Sequence, residues 1–135
     1  MKRLMSLIMS VVLLFTGLFS AADLKNTKWV LAGWSISSHN PADFKITLDF
    51  TAKSFSGQTT VNSYGGEYRA YKDGRFEITG IRSTLMAGSP EDMEIETDYY
   101  ALLNNVKKYT KTGSVLTLLD ANGNQLLIFE KASKA

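Results

Sequence analysis

Apolar and polar residues alternate at several places along the chain, and one interval repeats its apolar residues every three or four positions. Lys28–Trp34 (KWVLAGW) places Trp29, Leu31 and Gly33 on one side and Val30 on the other. Phe44–Phe50 sets Phe44, Ile46, Leu48 and Phe50 against Lys45, Thr47 and Asp49. Side chains alternate across a strand, so both read as strands with one buried face. Lys53–Val61 is a weaker, Thr-containing strand, and Asn62–Gly66 (NSYGG) has the composition of a turn. Glu67–Tyr71 and Arg75–Ile81 flank Lys72-Asp73-Gly74, a hairpin signal, and Arg82–Met86 adds a short strand. Thr110–Thr112 leads into Ser114–Asp120, which Ala121-Asn122-Gly123 joins to a last strand, Gln125–Glu130.

The helical interval lies within Ser83–Tyr109. Ser89 stands as N-cap, Pro90 follows at the first helical position, where its missing N–H costs nothing, and Asp92 completes a capping-box spacing. Ile95, Tyr99, Leu102, Val106 and Tyr109 step by four and three residues, a buried stripe widened by Leu103. Glu91, Asp92, Glu94, Glu96 and Asp98 load the helix start, and Lys107 and Lys108 its end, as the macrodipole favours. The five acids read as a solvated, dipole-matched start, although Glu91, Glu94 and Asp98 share a face open to a weak surface calcium ion. The order of elements predicts a mainly β (α+β) domain, an antiparallel meander curled over one helix.

Residues 1–22 change the charge reading. Lys2 and Arg3 precede a mostly apolar run, Leu4–Phe19, and Ser20-Ala21-Ala22 offers small residues for a peptidase. This is the pattern of a signal peptide cleaved after Ala22, with the run short for a stable span. Lys2 and Arg3 account for the formal net charge of +2, so residues 23–135 balance. A balanced domain lacks the basic excess of a nucleic-acid surface. With no cysteine after the apolar run, a lipoprotein anchor is excluded. The expectation is a periplasmic or secreted monomer.

Absent residues narrow the chemistry further. The chain has no Cys and one His, His39, which reads as an exposed loop residue beside Asn40-Pro41. Zinc and thiol chemistry are therefore excluded, and no phosphate-loop, dinucleotide or nucleophile-elbow motif occurs. Asp120-Ala121-Asn122-Gly123-Asn124 mimics an EF-hand start but has Gln125 at the sixth position and Lys131 at the twelfth. No catalytic residue, cofactor or metal is assigned. The rival readings are a carboxylate-pair hydrolase of envelope material using residues such as Glu67 with Glu77 or Glu96, and a protease inhibitor presenting Ser35–Ala42.

Several stretches resemble the META domain family of HslJ-like bacterial envelope proteins. Leu24–Trp29 is similar to the family's opening Leu-x-x-x-x-Trp, and SGQTTVNSYGGEY to its G-x-x-G-C-N-x-Y-x-G-x-Y, with Asn62, Tyr64, Gly66 and Tyr68 matching. Thr84, Met86 and Ala87 fit T-x-M-A-C. Glu96, Tyr99, Leu103 and Tyr109 fit the helix that follows, and Leu116, Leu118, Asp120, Gly123, Leu126 and Phe129 the closing hairpin. The likeness spans nearly all of residues 23–135. It implies an open or cracked barrel like that of secretion pilot lipoproteins, which bind an acyl chain and a protein segment. It also implies a link to stress response and envelope integrity, with an envelope protein or a lipidic molecule as partner. The family's two motif cysteines fall at Val61 and Gly88, and their joint loss is what disulfide partners would show. Asn62, Tyr64, Gly66, Tyr68, Thr84, Met86, Glu96 and Tyr99 are the candidate motif or binding residues. Structural roles are open to several of them: a turn at Gly66, a backbone bond for Asn62, core walls for Tyr64 and Tyr68.

Overall fold

The computed structural model describes residues 24–132, except Ser37. Among the described residues, eight antiparallel strands form one curled, half-barrel sheet with one α-helix. The strands are β1 (Lys28–Trp34), β2 (Thr47–Phe50), β3 (Ser54–Gln58), β4 (Ser63–Ala70), β5 (Phe76–Ser83), β6 (Lys108–Thr112), β7 (Val115–Leu119) and β8 (Gln125–Lys131). Helix α1 spans Pro90–Asn104, between β5 and β6. The sheet order is β5-β4-β3-β2-β1-β8-β7-β6, the chain order wrapped round so that β8 returns beside β1. The outermost strands, β5 and β6, meet at only one end. There Phe76 N–H donates to Lys107 C=O at 2.8 Å and Tyr109 N–H to Gly74 C=O at 2.9 Å.

The alternation read from the sequence is the alternation of burial. Trp29, Leu31, Ile46, Leu48, Phe50 and Phe55 face inward and meet Leu116, Leu118, Leu127 and Phe129 from the other half of the sheet. Ile95, Tyr99 and Leu103 of α1 enter the same core. A gap among Leu48, Phe50, Phe55, Phe76, Leu103 and Leu118 has no room for a water molecule. Each large aliphatic side chain buried this way contributes about 2 kcal/mol before entropy is counted.

Four local expectations are corrected. Phe44–Phe50 is not one strand: Pro41–Phe44 forms a 3-10 turn, and Lys45 takes φ 54°, a left-handed conformation that no strand continues through. Asn62–Gly66 is not a turn, because β4 runs through Gly65 and Gly66. At Gly66 a Cβ would stand 2.8 Å from Phe55 Cζ and 2.9 Å from Thr79 C=O, so the residue permits close packing and not a reversal. The helix ends at Asn104, leaving Val106 in a connection, Tyr109 on β6, and Lys107 and Lys108 beyond the last turn. Lys108–Thr112 is a full strand, made so by pairing with β7 along Lys108↔Leu119 to Thr112↔Val115.

The edge strand β5 carries one irregularity. Gly65 pairs with Arg82 and Glu67 with Thr79, so Gly80 and Ile81 together face Gly66. Gly80 has φ 63°, the conformation of a glycine bulge, which bends and twists its strand.

Candidate functional site

Four of the residues singled out from the sequence, Asn62, Thr84, Met86 and Glu96, are drawn together from two connections and α1, and Glu96 is the reason. Ser89 caps α1, its side chain accepting the Asp92 N–H at 3.2 Å. From that start, Glu96, Tyr99 and Leu103 follow at three- and four-residue spacing and share the buried face. Glu96 is only 5% exposed, so the expectation that it is a solvated, dipole-matching acid is corrected. A carboxylate taken out of water needs donors on both oxygens. Oε1 accepts the Asn62 backbone N–H at 2.9 Å and the Thr59 hydroxyl, and Oε2 accepts Asn62 Nδ2 at 2.8 Å.

Glu96 in turn fixes which way the Asn62 amide faces. A carboxylate only accepts, so the amide nitrogen must point at the helix and its oxygen away. That oxygen accepts the Thr84 hydroxyl and the Met86 N–H, both at 2.7 Å, while Nδ2 also reaches Met86 C=O at 3.2 Å. Asn62 therefore ties the β3–β4 turn to α1 and to the connection Thr84–Ser89. The expected bond of Asn62 to its own backbone is replaced: its side chain's partners lie 22 to 34 residues away. Spacing offered one usable signal for Glu96, its place three residues before Tyr99 on the apolar stripe.

Tyr64 and Tyr99 meet behind this network. Tyr64 donates to Thr47 C=O at 2.6 Å, so Tyr99 donates to the Tyr64 oxygen, at 2.5 Å. Burial pushes the Tyr64 hydroxyl well above the usual tyrosine range, with the neighbouring Tyr99 hydroxyl adding to it, and burial raises Tyr99 too. Tyr68 and Gly66 stand apart from the cluster. Tyr68 stacks on Phe76 and donates to Thr51 C=O at 2.7 Å. A group held neutral by the fold ionises more readily once unfolded, so stability is full below about pH 10 and falls as pH rises through the raised folded values. In alkaline titration, Tyr64 and Tyr99 are expected to show no phenolate absorbance until the denaturation midpoint itself collapses.

The other candidates fall elsewhere. His39 is half-buried and not a free loop side chain: it packs on Phe44, and its Nε2 lies 3.2 Å from Glu91 Oε2. Trp34 Nε1 donates to His39 C=O at 3.0 Å, which fastens the segment expected to project as an inhibitor loop. Glu67 points outward to Arg82 at 2.7 Å, which holds its carboxyl below the usual range, while Glu77 accepts the Tyr71 hydroxyl and Glu96 is enclosed. Glu67, Tyr71 and Glu77 line an open outer groove with Lys25, Lys53 and Arg69. Among the described residues no three His, Asp or Glu side chains converge as metal ligands, and no helix is long and apolar enough to cross a membrane. Asp120 braces the β7–β8 turn, accepting the Asn122 and Asn124 N–H groups at 2.9 Å. The expected signal segment, residues 1–22, lies outside the described residues.

A connection pinned by Asn62, a buried Glu96 and the Tyr64–Tyr99 pair are built from residues of one sequence motif set, and the family match runs across them all, over residues 22–133. The chain belongs to the META domain family. Solved structures agree on the fold. A protein from Burkholderia xenovorans, determined by NMR, is 25% identical with a TM-score of 0.66, covering 89% of this chain and 88% of its own. A DUF4847 family protein from Bacteroides vulgatus is 17% identical with a TM-score of 0.65, covering 86% and 100%. No curated protein matches. Within this META domain, the family's cysteine positions are neighbours: a Cβ built on Gly88 stands 3.6 Å from Val61 Cβ.

Proposed function

We propose that this META domain is an exported, non-enzymatic envelope protein, serving stress response or envelope integrity, that binds an extended segment of a partner protein along β5. The observation that carries this reading is the interrupted seam. After Phe76 the bonds to the β6 side stop, and among the described residues Glu77–Ser83 has no strand on its outer edge. Backbone groups alternate sides along a strand, so Ile78, two residues after Phe76, turns its N–H and C=O to that open side. Strand addition to such an edge is a general mode of peptide recognition, with main-chain bonds giving affinity. The lipidic alternative finds little support, because the space between α1 and the sheet is filled by Tyr99, Leu103 and their neighbours. The hydrolase reading finds none in Glu67 and Glu96, which are held by different partners on different faces. Export rests on the leader pattern of residues 1–22.

The test is amide exchange followed by NMR against ten-residue peptides that alternate apolar and polar residues. Peptide binding is expected to protect the Ile78 and Ser83 amides and to leave those of β1 and β2 unchanged. A panel in which no peptide protects β5 refutes the reading.

A further inference from the structure

The connection after β5 holds two apolar side chains in water at a fixed place. Leu85 is 95% exposed and Met86 63%. The backbone on either side of Leu85 is pinned. Thr84 N–H donates to Ser63 C=O at 3.0 Å, its hydroxyl donates to Asn62, and the Asn62 amide holds both the N–H and the C=O of Met86. Two residues later, Gly88 lies so close to Val61 that a Cβ would come within 2.7 Å of Val61 Cγ2. An ordinary surface loop gives such side chains freedom to fold back on the domain. Here the buried Glu96–Asn62 network points them outward. A backbone ordered before binding loses little freedom on binding, and a few anchors dominate most interfaces.

Charge selects the partner. Helix α1, which begins immediately after this connection, carries five acids and no Lys or Arg over Pro90–Asn104. Glu96 is enclosed and Glu91 faces His39, leaving Asp92, Glu94 and Asp98 without an ion-pair partner among the described residues. Arg82, the base nearest in sequence to Leu85, is already paired with Glu67 at 2.7 Å. Such a surface repels an anionic bilayer and attracts cationic side chains.

We infer that Leu85 and Met86 are the anchor of an interaction surface for an extended polypeptide that carries both apolar and Lys or Arg side chains. This rests on the reading of β5 as an open receiving edge and adds the chemistry of what it receives. The partner strand lies on the end of β5, its apolar side chains meet Leu85 and Met86, and its cations face the start of α1.

Three ten-residue peptides test it by NMR titration: alternating Lys and Val, alternating Glu and Val, and alternating Lys and Ser. The Lys/Val peptide is expected to shift the Ser83–Met86 amides, with an affinity that weakens at least tenfold in the double variant Leu85→Ser/Met86→Ser. The same affinity is expected to fall at least threefold in Glu94→Gln/Asp98→Asn, and the other two peptides are expected to bind at least tenfold more weakly. Both double variants alter exposed or half-exposed side chains outside the Asn62 network, and their own spectra report folding. An unchanged affinity in the Leu85 variant, or equal binding of the Glu/Val peptide, overturns the anchor while protection of Ile78 leaves the open edge standing. Leu85-dependent binding to anionic phospholipid vesicles, with no response to the Lys/Val peptide, overturns it in favour of a membrane. If no peptide touches β5 at all, the edge reading fails and takes the anchor with it.

Discussion

Asn62→Asp is expected to destabilise the protein by about 4 kcal/mol at pH 7, within the range for breaking a buried charged pair. The change replaces one nitrogen by oxygen and leaves shape intact. It turns the Asn62 Nδ2 contact with Glu96, 2.8 Å in the native protein, from a hydrogen bond into two facing carboxylates. Two such groups cannot both ionise out of water, so one of them binds a proton with a pKa raised above its unfolded value. The sign follows from linkage. A raised folded pKa gives a penalty that is fully felt above that value and relieved as pH falls toward the unfolded carboxylate range near 4. The variant should therefore gain stability relative to the native chain between about pH 7 and pH 4. Denaturant midpoints measured across that interval check it, and a deficit that does not change with pH would show that Asn62 acts through packing and not through Glu96.

The second large effect runs the other way. Val61→Cys together with Gly88→Cys is expected to close a disulfide and stabilise the fold by about 3 kcal/mol, since it removes freedom from an unfolded loop of roughly 28 residues. A Cβ on Gly88 would stand 3.6 Å from Val61 Cβ, inside the usual disulfide separation. Gly88→Cys alone should be destabilising, because its Cβ meets Val61 Cγ2 at 2.7 Å and only the shorter cysteine at position 61 removes that methyl. The two changes are thus strongly non-additive. Thiol titration and thermal midpoints with and without reductant read both the bond and its effect. A double variant whose thiols stay free under oxidising conditions would mean the two loops part more readily than their contacts indicate.

Much of this architecture was legible in the sequence because period and caps report local geometry. Alternation found β1, Asp73-Gly74 and Asn122-Gly123 found the β4–β5 and β7–β8 hairpins, and Ser89-Pro90 marked where α1 begins. What escaped depends on partners remote along the chain. Lys108–Thr112 is mostly polar and too short for its Tyr and two Thr to mark a strand alone; β7 makes it one. Gly66 looked like a reversal, but the reason for its missing side chain is Phe55, a residue on the neighbouring strand. The candidate residues were found through resemblance while their roles were not. Glu96 sits among five acids in a run that suits the helix dipole, and only its step to Tyr99 and Leu103 separates it from the solvated four. Asn62 acts on Thr84, Met86 and Glu96 at once, a relation that no window of sequence contains.

The bulge at Gly80 and Ile81 bears on a hazard that every uncovered strand carries. An edge with free N–H and C=O groups is a template for its own copies, and straight edges stack into fibres. The bulge bends the edge of β5, and exposed Glu77 and Arg82 put a charge on either side of it. Edge-to-edge growth through β5 into a fibre is therefore opposed by the strand's own bend and charge.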